Sequence, residues 1–221
     1  MVKKMAQVPS TTTRNMNAAR GLMAPSIRNA FQRARVNIPG IIEVIEQPLY
    51  DYQTLAATAV ASQKFFQTPQ GQNGKSIADT NMELAGQLPK GQAFAITGIQ
   101  VEVLPGLDID AAAASEFAND VYAVLKGGAL ALRIGSKVYT VQGNLMKFPP
   151  VNRLAGFAST GLVTQQIQYV QAGGREFKVI DLLLESSQNF SVELIDLPVL
   201  PSGTAGRIGV TLNGSLFRNA Q

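Results

Sequence analysis

Residues 69–76 read PQGQNGKS, one glycine away from the phosphate-binding pattern G-x-x-x-x-G-K-S. That pattern works because a glycine-rich turn aims backbone N–H groups at phosphate, a lysine neutralises it, and a helix opens behind. Here Pro69 stands in place of the first glycine, with no N–H to offer and a fixed φ. Asp79, Asn81 and Gly86 interrupt any helix opening at Ser76. The run FKVID at 177–181 imitates the acidic strand of nucleotide enzymes, but the alternating α/β context is missing. A surface loop is expected, with Lys75 dispensable for folding.

Carboxylates supply the other candidates. Asp108 and Asp110, with Glu116 and Asp120 nearby, offer the oxygens a hard cation wants, although the spacing is not that of an EF-hand loop. Asp110 equally suits a helix cap. Asp181 with Glu185, and Glu193 with Asp196, are pairs of the kind glycosidases use. Same-face pairs on strands also arise by chance, so solvated faces are the simpler reading. The 221 residues include no His, Cys or Trp, which removes Ser-His-Asp and Cys-His nucleophile systems, thiolate chemistry, disulfides and Cys/His zinc sites. The expectation is a protein that is not an enzyme, with no catalytic residue, no cofactor and no metal.

The elements that would hold such residues divide sharply by charge. Residues 1–42 carry Lys3, Lys4, Arg14, Arg20, Arg28, Arg33 and Arg35 and no acid. The other 179 residues hold 12 basic and 15 acidic side chains, net −3. A cationic arm, 1–40, thus precedes a near-neutral body, 41–221. Such arms serve polyanions, whether nucleic acid, an anionic membrane or an acidic face of a neighbour, and the plainer alternative is a disordered, solubilising tail. Within the arm, Ile27, Ala30, Phe31 and Ala34 recur at i, i+3, i+4 and i+7, the apolar face of a short amphipathic helix that Pro39-Gly40 ends. Polar residues follow Lys3-Lys4 where a signal peptide needs an apolar stretch, and no apolar run nears the roughly 20 residues that span a bilayer. A soluble chain is expected.

From residue 41 the pattern becomes β-type. Strands are predicted near 54–66, 93–104, 129–135, 137–142, 163–171, 176–185, 190–197 and 207–217, with one helix at 110–126 that Gly127-Gly128 stops. Gly135-Ser136 and Gly173-Gly174 predict hairpins. Asn213-Gly214 predicts a turn or a bulge. Phe148-Pro-Pro150 suits a stiff loop against a neighbouring subunit. Strands that do not alternate with helices argue against a doubly wound sheet. The expected fold is all-β: an eight-stranded antiparallel jelly-roll sandwich with one inserted helix and a basic N-terminal arm.

Two phrases carry a resemblance. ADTNMELAGQLP at 78–89 leads into a strand, and GGALALRIGSKVY at 127–139 is followed by Phe148-Pro-Pro150. With the basic arm and the strand count, the chain over 41–217 resembles jelly-roll major capsid (coat) proteins of icosahedral tailless bacteriophages. The resemblance implies a structural virion protein, made in the host cytoplasm, that self-assembles with copies of itself into trimers or pseudo-hexameric capsomers of an icosahedral shell. It implies further capsid proteins as partners. It also implies an arm facing the interior, towards the viral membrane or genome, since several members enclose lipid. Low charge, 15% of residues, suits a surface buried against copies. The alternative is a jelly-roll carbohydrate- or receptor-binding module of spike or lectin type, against which stand the missing Trp and only 7% aromatics.

Overall fold

A computed structural model describes residues 42–104, 106, 114–150, 153–157, 166–170 and 176–219. These residues hold eleven strands: β1 (Ile42–Glu46), β2 (Leu49–Leu55), β3 (Val60–Phe65), β4 (Gln92–Leu104), β5 (Ala129–Ile134), β6 (Lys137–Gly143), β7 (Arg153–Phe157), β8 (Gln166–Val170), β9 (Phe177–Glu185), β10 (Phe190–Leu197) and β11 (Gly206–Asn219). One α-helix, α1 (Ala114–Gly127), and one 3-10 turn, Leu145–Lys147, complete the described elements. The chain is mostly β, in two principal antiparallel sheets, as expected for an all-β sandwich.

One sheet runs β1-β11-β4-β9, with β2 also on β11; the other runs β3-β10-β5-β6. β1 and β2 are a single strand broken once. Glu46 lies opposite Ser215 and Leu49 opposite Leu212, so both halves keep one register on β11. The break falls at Gln47 and Pro48, where proline cannot donate to a ladder. Successive strands change sheets at almost every connection; of the sandwich strands only β5 and β6 join as a hairpin, around Gly135 at φ 58°.

Alternation along the strands fills the space between the sheets. β10 turns Phe190, Val192 and Leu194 inward. β11 contributes Ile208, Val210 and Leu212, and β5 contributes Leu130, Leu132 and Ile134. Phe66 packs on Phe190 at 5.5 Å between ring centroids, and Phe148 on Phe177 at 4.6 Å.

Several expectations are corrected. The eight expected strands become eleven. The predicted strand 54–66 holds only the last two residues of β2 and the whole of β3, which lie in different sheets because the chain turns a corner at 56–59; the rest of β2, 49–53, falls before the predicted span. β1 and β7 lie outside the predicted spans. The expected Gly173-Gly174 turn lies outside the described residues, and among those described β8 pairs with β7 and β9 with β4. Asn213-Gly214 is a bulge against β4, where a Cβ on Gly214 would stand 2.0 Å from the Ala95 carbonyl oxygen. The helix ends at Gly127 as expected, while residues 107–113, including Asp108 and Asp110, lie outside the described residues.

Candidate functional site

The loop that imitates a phosphate site turns its donors inward. Gly71 N–H bonds to the Lys75 carbonyl (2.8 Å), Gln72 N–H to Pro69 (3.2 Å) and Lys75 N–H to Gln72 (3.0 Å). No helix follows Ser76. The Lys75 ammonium, with its side chain 13% exposed, is salt-bridged to Asp51, which is fully buried on β2. Asp51 also accepts the Phe66 N–H at 2.6 Å and Gln53 Nε2 at 3.2 Å. The expectation of a dispensable surface lysine is thus corrected: Lys75 neutralises a buried carboxylate and pins the loop to the sandwich. Proximity in space across 24 residues of chain is what the sequence could not display.

A polar cluster covers the outer face of the first sheet. Tyr52 donates to Glu102 at 2.6 Å and lies over Gly209, where a Cβ would meet the ring at 2.2 Å. Arg207 stacks on Tyr52 at 4.7 Å and reaches Asp79 at 2.6 Å and the Ala78 carbonyl at 2.8 Å. Burial, then the bond to Glu102, pushes the Tyr52 phenol well above its ordinary range. The Ser76 backbone N–H and hydroxyl, with Arg207, hold Asp79 below the usual carboxylate range. On the other sheet the Ser62 hydroxyl, then Arg133 at 2.9 Å, lowers Glu193. These groups satisfy one another, and none presents a free acid beside a free base.

The remaining candidates resolve similarly. Of the acidic group around Asp108, the structure describes the side chain of Asp120 alone. It is buried and accepts both the backbone N–H (2.8 Å) and the hydroxyl of Ser202, tying α1 to the β10–β11 loop. No cluster of three metal-ligating side chains exists among the described residues. Glu193 is committed to Ser62 and Arg133, away from any role with Asp196. Phe148 is not available to a neighbour: it is fully buried, and its carbonyl accepts the Val101 N–H at 3.0 Å. A groove of about 650 Å³ beside the β1–β2 break is lined by Glu46, Pro48, Glu176, Lys178 and Asn213, with Glu176 bound to Asn213. The arm candidates Lys3, Lys4, Arg14, Arg20, Arg28, Arg33, Arg35, Ile27, Ala30, Phe31 and Ala34 lie outside the described residues.

Among the described residues, the strands that end each sheet have a ladder partner on one side only. β6 ends its sheet, and its side chains Val138, Tyr139 and Val141 are 46%, 45% and 61% exposed. A long apolar edge of this kind templates pairing with another chain. The β2 half of the opposite edge is covered: Tyr52 N–H bonds to the Asp79 carbonyl (2.7 Å), Tyr50 N–H to Asn81 Oδ1 (3.0 Å) and Thr80 Oγ1 to the Tyr50 carbonyl (3.0 Å). The β1 half receives no such cover from the described residues. The sequence carried a signal for these edges, in KVYTVQG at 137–143 and IEVIE at 42–46, but which strands end a sheet is a property of topology.

Neither a known family model nor any curated protein matches this sequence.

Proposed function

We propose that the chain is a structural shell subunit, a jelly-roll coat protein that assembles through its sides into capsomers and an icosahedral capsid. The observation that carries this reading is the strand order. With β1 and β2 counted as one strand, two four-stranded sheets face each other in the orders β2-β11-β4-β9 and β3-β10-β5-β6. That order supports a jelly-roll reading, in which a long antiparallel ribbon rolls up into two Greek keys. The charged groups of the body support the same reading, because they close contacts within the subunit and leave sheet edges for neighbours. In this reading the seven cations of the arm meet the genome or an internal membrane, and the apolar face Ile27, Ala30, Phe31 and Ala34 gives lipid or a neighbouring subunit something to bury.

Analytical ultracentrifugation of the purified full chain, with and without anionic liposomes or DNA as template, tests the proposal. Concentration-dependent trimers, capsomers or shells are expected. A strictly monomeric protein that binds a glycan tightly would replace it with the lectin-type alternative.

A further inference from the structure

We propose that Asn73-Gly74 is a site of self-modification: the Gly74 main-chain nitrogen attacks the Asn73 side-chain amide, and hydrolysis leaves aspartate or isoaspartate in the turn that anchors Lys75. The inference stands apart from the shell-subunit reading and needs no partner.

The chain contains two Asn-Gly pairs, at 73–74 and 213–214. Glycine is the follower that lets this reaction run, because no Cβ shields its nitrogen from the side chain before it. At 73–74 the backbone forms a tight turn. Asn73 has φ 50° and Gly74 φ 75°, and the Lys75 N–H closes on the Gln72 carbonyl at 3.0 Å, as in a type I′ turn. Both residues are exposed, and a Cβ built on Gly74 would meet nothing within 4 Å. Among the described residues no acceptor takes the Gly74 N–H and no partner holds the Asn73 amide. Nucleophile and electrophile are adjacent, solvated and unengaged. The second pair is built the opposite way. Asn213 donates its side-chain amide to Glu176, and Gly214 sits in the β11 bulge, where a Cβ would stand 2.0 Å from the Ala95 carbonyl oxygen. Attack there requires the amide to leave Glu176 and the β4–β11 ladder to open.

The step balances with water as its sole co-reactant. Rotation about the Asn73 Cα–C bond brings the Gly74 nitrogen against Cγ. The nitrogen forms a new C–N bond, its proton passes through solvent to the departing amide, and ammonia leaves behind a cyclic imide. Water then opens the ring at one of its two carbonyls. Opening at the side-chain carbonyl gives aspartate. Opening at the main-chain carbonyl gives isoaspartate, with the chain now running through the former side chain. Isoaspartate lengthens the main chain by one atom inside a turn that the Gly71 N–H and the Lys75 carbonyl close at 2.8 Å. Either product also sets a new carboxylate two residues from Lys75, whose ammonium is salt-bridged to the buried Asp51. The modification therefore acts on the loop's anchor and loosens Lys75 from Asp51.

Peptide mapping of the folded full chain, incubated at mildly alkaline pH, tests the site. Trypsin releases 65–75 and 208–218, which hold one Asn-Gly pair each. In the folded protein, deamidation of 65–75 should run at least about tenfold faster than that of 208–218, because only the second pair must wait for a ladder to open. It is read as a mass increase shared by two chromatographic isomers, isoaspartate and aspartate. In urea the two peptides should react within about threefold of each other, since both then lie in open chain. Asn73→Ser should remove the shift from 65–75, which also contains Gln67, Gln70 and Gln72. A folded chain in which 65–75 reacts no faster than 208–218, or a shift that survives Asn73→Ser, would overturn the site. The urea midpoint of wild type should fall as conversion proceeds, while that of Asn73→Ser incubated alongside stays put. A fully converted sample as stable as fresh protein would overturn the coupling to Lys75.

Discussion

Replacing Lys75 by methionine removes the cation from the buried ion pair while keeping most of the side chain's volume. Asp51, fully buried, then keeps only the Phe66 N–H and Gln53 Nε2 as partners for a full negative charge. Breaking a buried pair by removing one partner costs about 3–5 kcal/mol, because the other charge is left uncompensated. For a body of this size each kcal/mol moves Tm by about 2–4 °C, so Lys75→Met should lower Tm by about 6–20 °C. Asp51→Asn combined with Lys75→Met should recover more than half of that loss. The asparagine oxygen still accepts the Phe66 N–H, and no charge remains to be desolvated. Urea unfolding of the wild type, both single variants and the double variant gives the coupling directly. A cost of Lys75→Met within about 0.5 kcal/mol, the behaviour of an exposed lysine, would refute the reasoning. So would a double variant no more stable than Lys75→Met.

Asp120→Ala should destabilise by about 2–3 kcal/mol, since it strands the Ser202 donors that hold α1 to the β10–β11 loop; chemical denaturation measures it. Gly214→Ala should cost more than the about 1–3 kcal/mol of ordinary overpacking, because the new Cβ meets main chain of β4 rather than a side chain that can turn away. Stability should fall on acidification. Asp79 and Glu193 titrate below their unfolded values, so their contribution is complete above about pH 4–5 and disappears as pH drops through the folded values. Urea midpoints from pH 7 to 2.5 should show that slope, and Asp79→Asn/Glu193→Gln should flatten it. Tyr52 acts in the opposite sense: its raised value leaves stability intact below about pH 10 and loses it above, as the unfolded phenol ionises first.

Local chemistry made some of the fold legible. Gly135-Ser136 carries a two-residue hairpin because glycine accepts φ 58° there, and Asn213-Gly214 marks a bulge that no side chain would fit. The alternation of β10 announces its buried face. The corner between β2 and β3 escaped notice because LAATAVA at 55–61 contains neither glycine nor proline, so a change of sheet reads as one continuous strand. Gly173-Gly174 lies outside the described residues; the strands on either side of it, β8 and β9, pair with β7 and β4, and a turn dipeptide by itself does not name the partners of its flanking strands. The Asp51–Lys75 pair and the Tyr52–Glu102–Arg207 cluster join residues that only the folded sheet brings together. Of the sheet edges, β6 was legible as a strand and β1 was not, while the place of each at the end of its sheet follows from strand order.

Negative-stain electron microscopy of purified full-length protein over a range of concentrations tests the central claim most directly. Uniform ring-like capsomers or closed shells, appearing above a threshold concentration, are the predicted result. Fields of isolated particles the size of a single 221-residue subunit at every concentration and with every template would contradict it.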